Sequence, residues 1–286
     1  MDRLWVLALT VGVALALLAP RPARADGDAV LTIVDGDARV VDGARAFAAA
    51  VGMRLPAGTL VDTGADAALL RLEWDDGRVL DLGPATRVML APAGFAGAQR
   101  KAPMFYLLAG WAKQSLGSAR DGQVMPALDL PAVTGVVVSF AGAYRSLVFV
   151  ESGEAEVAGR PGREVLALRQ GESVVAVGGE RPASSQRAPP GLLAQMPRSF
   201  RDTLPRRLPQ LGSRGTEGRT LPMPSYAEMA AWLEAEPAVR REFPHRFSAW
   251  ALEPAFRDAL HAHLAAHPEW EPVLAAGHAV RAAASR

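Results

Sequence analysis

Along residues 26–177 the apolar positions come in short pieces rich in valine and leucine, parted by glycine, aspartate and proline, as in an all-β unit. Val30–Val34, Leu69–Trp74, Val79–Leu82, Val136–Phe140, Leu147–Val150 and Glu164–Leu168 all have strand length. Leu70, Leu72 and Trp74 alternate with Arg71 and Glu73, so one face of this piece is expected in the core and the other in water. Asp76-Gly77 then marks a hairpin. A two-residue turn would set Leu72 opposite Asp81 on the core face, whereas the odd loop Asp76-Gly77-Arg78 sets Trp74 by Leu80 and Leu72 by Leu82. A one-residue slip exchanges the two faces of a strand, so the odd loop is predicted.

The pattern repeats faintly. Asp35-Gly36-Asp37-Ala38-Arg39-Val40 is echoed by Glu151-Ser152-Gly153-Glu154-Ala155-Glu156-Val157, and Pro56-Ala57-Gly58-Thr59-Leu60-Val61 by Arg169-Gln170-Gly171-Glu172-Ser173-Val174. These read as two strand–turn–strand units in one domain, with aspartate and glycine supplying tight corners.

Beyond residue 224 the period changes to that of helices. Ser225-x-x-Glu228 is a capping box before Met229, Ala230 and Leu233. Glu-Pro recurs at Glu236-Pro237, Glu253-Pro254 and Glu271-Pro272, and proline suits the first turn of a helix, so each pair is expected to open one. Trp232, Phe243, Phe247, Trp250, Phe256, Leu260, Leu264 and Trp270 supply the apolar faces of a bundle of three or four short helices, or else a docking surface for a partner.

Between these two parts, residues 178–224 carry eight prolines and read as an extended, semi-rigid linker. Eight arginines face Glu180, Asp202 and Glu217 there, a local balance of +5. Such a segment suits peripheral contact with an anionic surface such as lipid headgroups, or serves as a spacer kept wet by arginine. A single aromatic, Phe200, interleaves with the arginines, so the segment offers no run of rings for stacked bases.

Composition adds a compartment. Met1-Asp2-Arg3 precedes an uncharged apolar run, Leu4–Ala19, and then Ala23-Arg24-Ala25, the order of a secretory leader cut after Ala25 to leave Asp26 first. Retained, the same run would be an anchor; it is short for a membrane span, and no later segment offers about 18 consecutive apolar residues. The chain is therefore expected in the periplasm or secreted, with a mature part that does not cross a membrane. The whole chain has a balance of +1, and the mature part 28 basic against 29 acidic side chains, which is not the charge of a nucleic-acid binder. With no cysteine, disulfides, thiolate metal sites, thiol nucleophiles and a lipid-modified cysteine are excluded. The expected organisation is a leader over 1–25, a β-domain over 26–177, a linker over 178–224 and a helical region over 225–286.

The stretch Gly36-Asp37-Ala38-Arg39-Val40, then Leu55-Pro56-Ala57-Gly58-Thr59-Leu60-Val61-Asp62-Thr63-Gly64, resembles the periplasmic FecR-type domain. Ala67–Leu72, Asp76–Leu82, Thr86-Arg87-Val88, Leu107–Gly110, Val148–Val157 and Leu168–Ser173 continue the likeness over roughly residues 28–177. Thr59 stands where the family usually has an acid, and Leu130–Gly135 with Phe140-Ala141-Gly142 match its later section only loosely. The resemblance implies a mainly β fold, an antiparallel β-sandwich or β-roll, to which the helical region is appended. It also implies a regulator that passes an envelope signal to a cytoplasmic sigma factor, although only Met1-Asp2-Arg3 precedes the apolar run and no sigma-binding segment is seen.

Candidate chemistry is sparse. The five histidines, His245, His261, His263, His267 and His278, all lie in the helical region, so the β-domain has no Ser–His pair. His263 and His267 share a helix face at i, i+4, the spacing of a metal pair, but Leu264 follows His263 and no H-E-x-x-H forms. The turn and strand carboxylates Asp75/Asp76 and Glu154/Glu156 show no shared pocket, and phosphate-loop, dinucleotide and nucleophile-elbow motifs are missing. No catalytic or cofactor-binding residue is expected. Three readings stay open: a non-catalytic binding or scaffold module that engages an envelope protein or glycan, a regulator of the FecR type, and a metal-binding protein acting through His263 and His267.

Overall fold

The computed structural model describes residues 27–97, 100–116, 121–160, 164–178, 180–211 and 215–275; Ala23, Ala25, Asp26 and His278 lie outside them. Strands β1 (Ala29–Asp35) to β18 (Thr220–Leu221) form a curled, mainly antiparallel half-barrel whose two halves face each other across the core. The upper half runs β4 (Arg54–Leu55), β1, β6 (Leu69–Glu73), β7 (Val79–Leu82), the end of β9 (Phe105–Ser115), β12 (Val136–Ala141), β13 (Arg145–Ser152), β16 (Ser173–Val177) and β17 (Ala183–Ser185). The lower half runs β18, β3 (Arg45–Ala48), β2 (Ala38–Asp42), β5 (Leu60–Thr63), β8 (Arg87–Leu90), the start of β9, β10 (Asp121–Val124), β11 (Leu128–Val133), β14 (Glu154–Gly159) and β15 (Val165–Arg169).

One long strand joins the halves. β9 leaves the lower half and enters the upper one at Gly110, where φ is +89° and a Cβ would fall 2.4 Å from Thr86 Oγ1, so the crossing requires glycine. Alternation then sorts its side chains: Ala112 and Gln114 point into the body, Trp111 and Lys113 out of it.

The first half of the sequence echo is real in space. β1–Gly36–β2–β3–β4 and β13–Gly153–β14–β15–β16 follow one course: an upper strand, a left-handed glycine corner, a lower hairpin and a return to the upper half. The second half of the echo is corrected. Gly171 donates its N–H to Val150 O at 2.8 Å, and its counterpart is Gly52, which donates to Leu31 O at 2.7 Å, rather than Gly58. Thr59, the departure from the FecR pattern, closes the Gly58 turn by donating its hydroxyl to Pro56 O at 2.8 Å.

The β6–β7 hairpin has the odd loop that the pattern demands, but placed one residue earlier. Trp74 bonds to Arg78, Leu72 faces Leu80 and Leu70 faces Leu82, which keeps the leucines inward with Asp75-Asp76-Gly77 at the tip. The outward face differs more from expectation: Arg71 and Glu73 are 4% and 0% exposed. What covers them is the proline-rich segment. After β17 the chain makes α1 (Leu192–Gln195) and a 3₁₀ turn at Arg198–Phe200, and lays Leu192, Met196 and Phe200 against Leu69, Trp111, Val138 and Leu147 on the outside of the upper half. It continues over β6 and β7 to β18, which pairs with β3. The described residues between 180 and 211 therefore form a strap on the β-body, not a free spacer.

The helical tail covers the opposite outer face. α2 (Tyr226–Leu233) starts at the Ser225–Glu228 capping box, and α3 (Pro237–Arg240) and α5 (Pro254–Ala262) each open on proline, with α4 (Phe243–Arg246) between them. Trp232, Phe243, Phe247, Trp250, Phe256 and Trp270 pack on Val41, Ala46, Leu60, Met89, Tyr106 and Val124 of the lower half, so tail and body share one apolar cluster. Trp232 Nε1 donates to Asp62 (3.0 Å), Trp250 Nε1 to Ala44 O (2.9 Å) and Arg246 to Gly58 O (2.7 Å). No helix among the described residues is long and apolar enough to cross a membrane.

Candidate ligand-binding site

The β-body is open at one end, where the β6–β7 hairpin, the start of β1 and the β8–β9 connection meet around a cavity of about 460 Å³. Its walls are apolar: Ala29, Leu55, Trp74, Leu90 and Met104 stand over a rim of alanines with Arg78 and Lys101. Each wall comes from the alternation already described, since Leu55, Trp74 and Leu90 are inward positions at strand ends.

Arg78 is the fixed charge of the site. It is 3% exposed and lies with Cζ 5.2 Å from the Trp74 ring centroid. Its Nε donates to Asp76 Oδ2 at 2.8 Å and its Nη1 to Asp121 Oδ2 at 2.6 Å, while Asp76 also accepts the Arg78 backbone N–H at 3.1 Å. Burial works against the ionised Asp76, but the bonds from Arg78 and the nearby Lys101 charge hold its carboxyl below the usual range. The hairpin tip is thus a closed loop of charge that holds the tryptophan wall in place.

Behind Met104 the core turns polar. Gln114 Nε2 lies 3.5 Å from Met104 Sδ, and Gln123 Nε2 donates to Ser139 Oγ. All of Gln114, Gln123 and Ser139 are 0% exposed, and both glutamine carbonyl oxygens lack a hydrogen-bond partner. An orphaned buried acceptor costs about 1–3 kcal/mol, so two of them in the core, one against the cavity wall residue Met104, are a costly choice for packing alone.

None of these residues was a candidate from the sequence. Arg78 and Asp121 are 43 positions apart, and the only local signal was the Asp76-Gly77 turn. The histidine candidates fare differently. α5 ends at Ala262, so His263 and His267 do not share a helix face. His263 is the C-cap, with Nδ1 2.9 Å from Ala259 O, and it stacks on Tyr226 with centroids 5.0 Å apart. His267 is buried on another side of the same ring, 5.8 Å away, and burial first of all pushes its pKa down. Among the described residues no three His, Asp or Glu side chains are grouped to hold a metal ion.

No protein-family profile matches the chain, and no curated protein matches it. Two crystal structures of a proposed anti-sigma factor from Parabacteroides distasonis are similar, each at 15% identity over 47% of this chain, with TM-scores of 0.39 and 0.38. The match spans 62% and 63% of those chains, less than two thirds of their length. A likeness of that extent says nothing about what this chain binds.

Proposed function

We propose that this chain is a non-catalytic binding module of the bacterial envelope, exported by the leader over residues 1–25 and built on a FecR-type β-body that holds the apolar part of a ligand in its open end. The observation that carries this reading is the cavity of about 460 Å³ with Leu55, Trp74, Leu90 and Met104 as walls and a buried Arg78–Asp121 pair beside them. Its size and lining are those of small-molecule sites, apolar with a few fixed polar groups. Export is supported by Leu4–Ala19 followed by Ala23-Arg24-Ala25, and a mature protein beginning at Asp26 is its test by N-terminal sequencing.

Binding is tested by titrating the mature chain with Nile red, an uncharged apolar dye, and following both dye emission and tryptophan quenching. Saturable one-to-one binding that weakens at least tenfold in Ala102→Trp, with the unfolding midpoint unchanged, supports the site. Equal binding by both proteins, or none, rejects it. A regulator of the FecR type is the second reading, supported by the motif likeness over residues 28–177, and it needs the leader run to stay attached as an anchor. Intact Met1 in membrane fractions would favour it.

A further inference from the structure

The outer face of the upper half holds the strap in an unusual way: its charged side chains bind the strap's backbone. Glu73 accepts the N–H groups of Arg207 (2.9 and 3.2 Å) and Leu208 (3.1 Å). Arg71 forks onto Asp81 at 2.6 and 2.8 Å and turns its Nη1 to the carbonyls of Leu204 (3.1 Å) and Pro205 (3.3 Å). Lys113 donates to Phe200 O at 2.7 Å while pairing with Glu151 at 2.8 Å. Every one of these contacts is blind to the strap's side chains. Selectivity comes from the apolar half of the face, where Leu192, Met196 and Phe200 sit on Trp111, Val138 and Leu147, and from the Arg206 side chain, which pairs with Glu73 at 3.5 Å and donates to Trp74 O at 2.6 Å.

Recognition through the main chain, with side-chain pockets for specificity, is a recurring way to bind a peptide; here side chains of a sheet face grip the backbone beside an apolar patch. We propose that this face is a peptide-binding groove occupied in cis by residues 192–208, and that a proline-bearing peptide of a partner protein, with apolar anchors on short helical turns followed by an irregular stretch gripped through its backbone, binds it in place of the strap. Two features suit the strap to exchange. When it lifts, Arg71, Glu73, Asp81 and Lys113 return to water, where a charged group is well solvated, so this part of the face loses little by opening. A cavity of about 230 Å³ also separates strap from sheet there, lined by Arg71, Asp81, Lys113, Glu151, Thr203 and Arg206. The grip is therefore loose-packed at the charged end and tight at the Phe200 end. Tethering presents the strap at roughly millimolar effective concentration, which sets the competition a partner peptide has to win.

The test uses a fluorescein-labelled synthetic peptide of residues 190–209 and the full mature chain, read by fluorescence anisotropy. A strap-weakened double variant, Leu192→Ser with Phe200→Ser, is expected to bind the probe at least tenfold tighter than wild type. Adding Glu73→Ala to that variant is expected to remove most of the gain. Should the double variant fail to fold, hydrogen exchange on the wild-type chain decides: excess unlabelled peptide is expected to speed exchange of the Arg207 and Leu208 amides. Equal probe binding by wild type and a folded double variant, or amides at 207 and 208 that open only with the whole protein and ignore the peptide, would overturn the proposal.

Discussion

The β-body wears two covers, and they are attached by different physics. The helical tail is joined to the lower half through six aromatic side chains, each no more than 2% exposed, which merge with sheet residues into a single apolar cluster. Burying one such side chain stabilises by about 1.5–3 kcal/mol, and the effect is non-directional, so the tail comes off as a unit or not at all. The strap is joined to the upper half by a few apolar anchors and a set of charge-assisted bonds to its main chain. Such bonds trade against water for a net of about 0.5–3 kcal/mol each. One cover behaves as core, the other as a ligand held in place.

The largest expected effect is in the tail. Trp250, 1% exposed and stacked on Phe247 at 4.2 Å, should lose about 3–5 kcal/mol of global stability on replacement by alanine, measured by urea unfolding. A loss under about 1 kcal/mol would mean that the tail is not part of the core. Phe200→Ala removes a side chain that is just as buried, 0% exposed, yet its cost should stop at about 2 kcal/mol because local opening of the strap caps it. Were both substitutions to cost the same, the distinction between the covers would fail. Glu73→Gln, bounded by the same opening of the strap, should cost about 1–2 kcal/mol and speed amide exchange at Arg207 and Leu208, with no change in α2 or α5.

The smallest expected effect is at the tail–sheet seam. Burial, first, raises the pKa of Asp62 above its ordinary 3.8, against the Trp232 bond and the charges of Arg87 and Arg39. For a carboxyl with a raised folded pKa, its contribution is full below 3.8 and is lost as pH climbs through the folded value. Asp62→Asn keeps an acceptor for Trp232 Nε1 and should gain stability on wild type as pH rises above 3.8; a constant gap between the two across pH 3–7 would contradict it.

Much of the skeleton was legible. The pieces around Val30, Leu70, Val79, Val136 and Leu147 are strands, and the capping box and the Glu-Pro pairs at 236 and 253 open helices, because those signals are local. What the chain concealed was long-range. Arg71 and Glu73 read as a wet face since alternation cannot report that residues 204–208 will lie across it, more than 130 positions away. Proline and arginine read as a spacer, although proline's missing N–H is harmless to a strap held at its carbonyls and at a few selected amides. The pocket stayed hidden because Arg78, Asp121, Gln114 and Gln123 are polar residues in strand patterns, and only the meeting of two half-sheets gives them a common interior. His263 and His267 misled through spacing, which presumes a helix running through both, whereas the helix ends at Ala262, before either.

The contrast between the covers is tested most directly by hydrogen exchange, under native conditions, of the intact chain from residue 26 onward. Backbone amides of the strap at Arg207 and Leu208 should exchange at least a hundredfold faster than those of Met229 and Trp232 in α2, and their exchange should not follow global stability when urea is added. Equal protection in strap and tail, with one urea dependence for both, would show a single cooperative body and contradict the account.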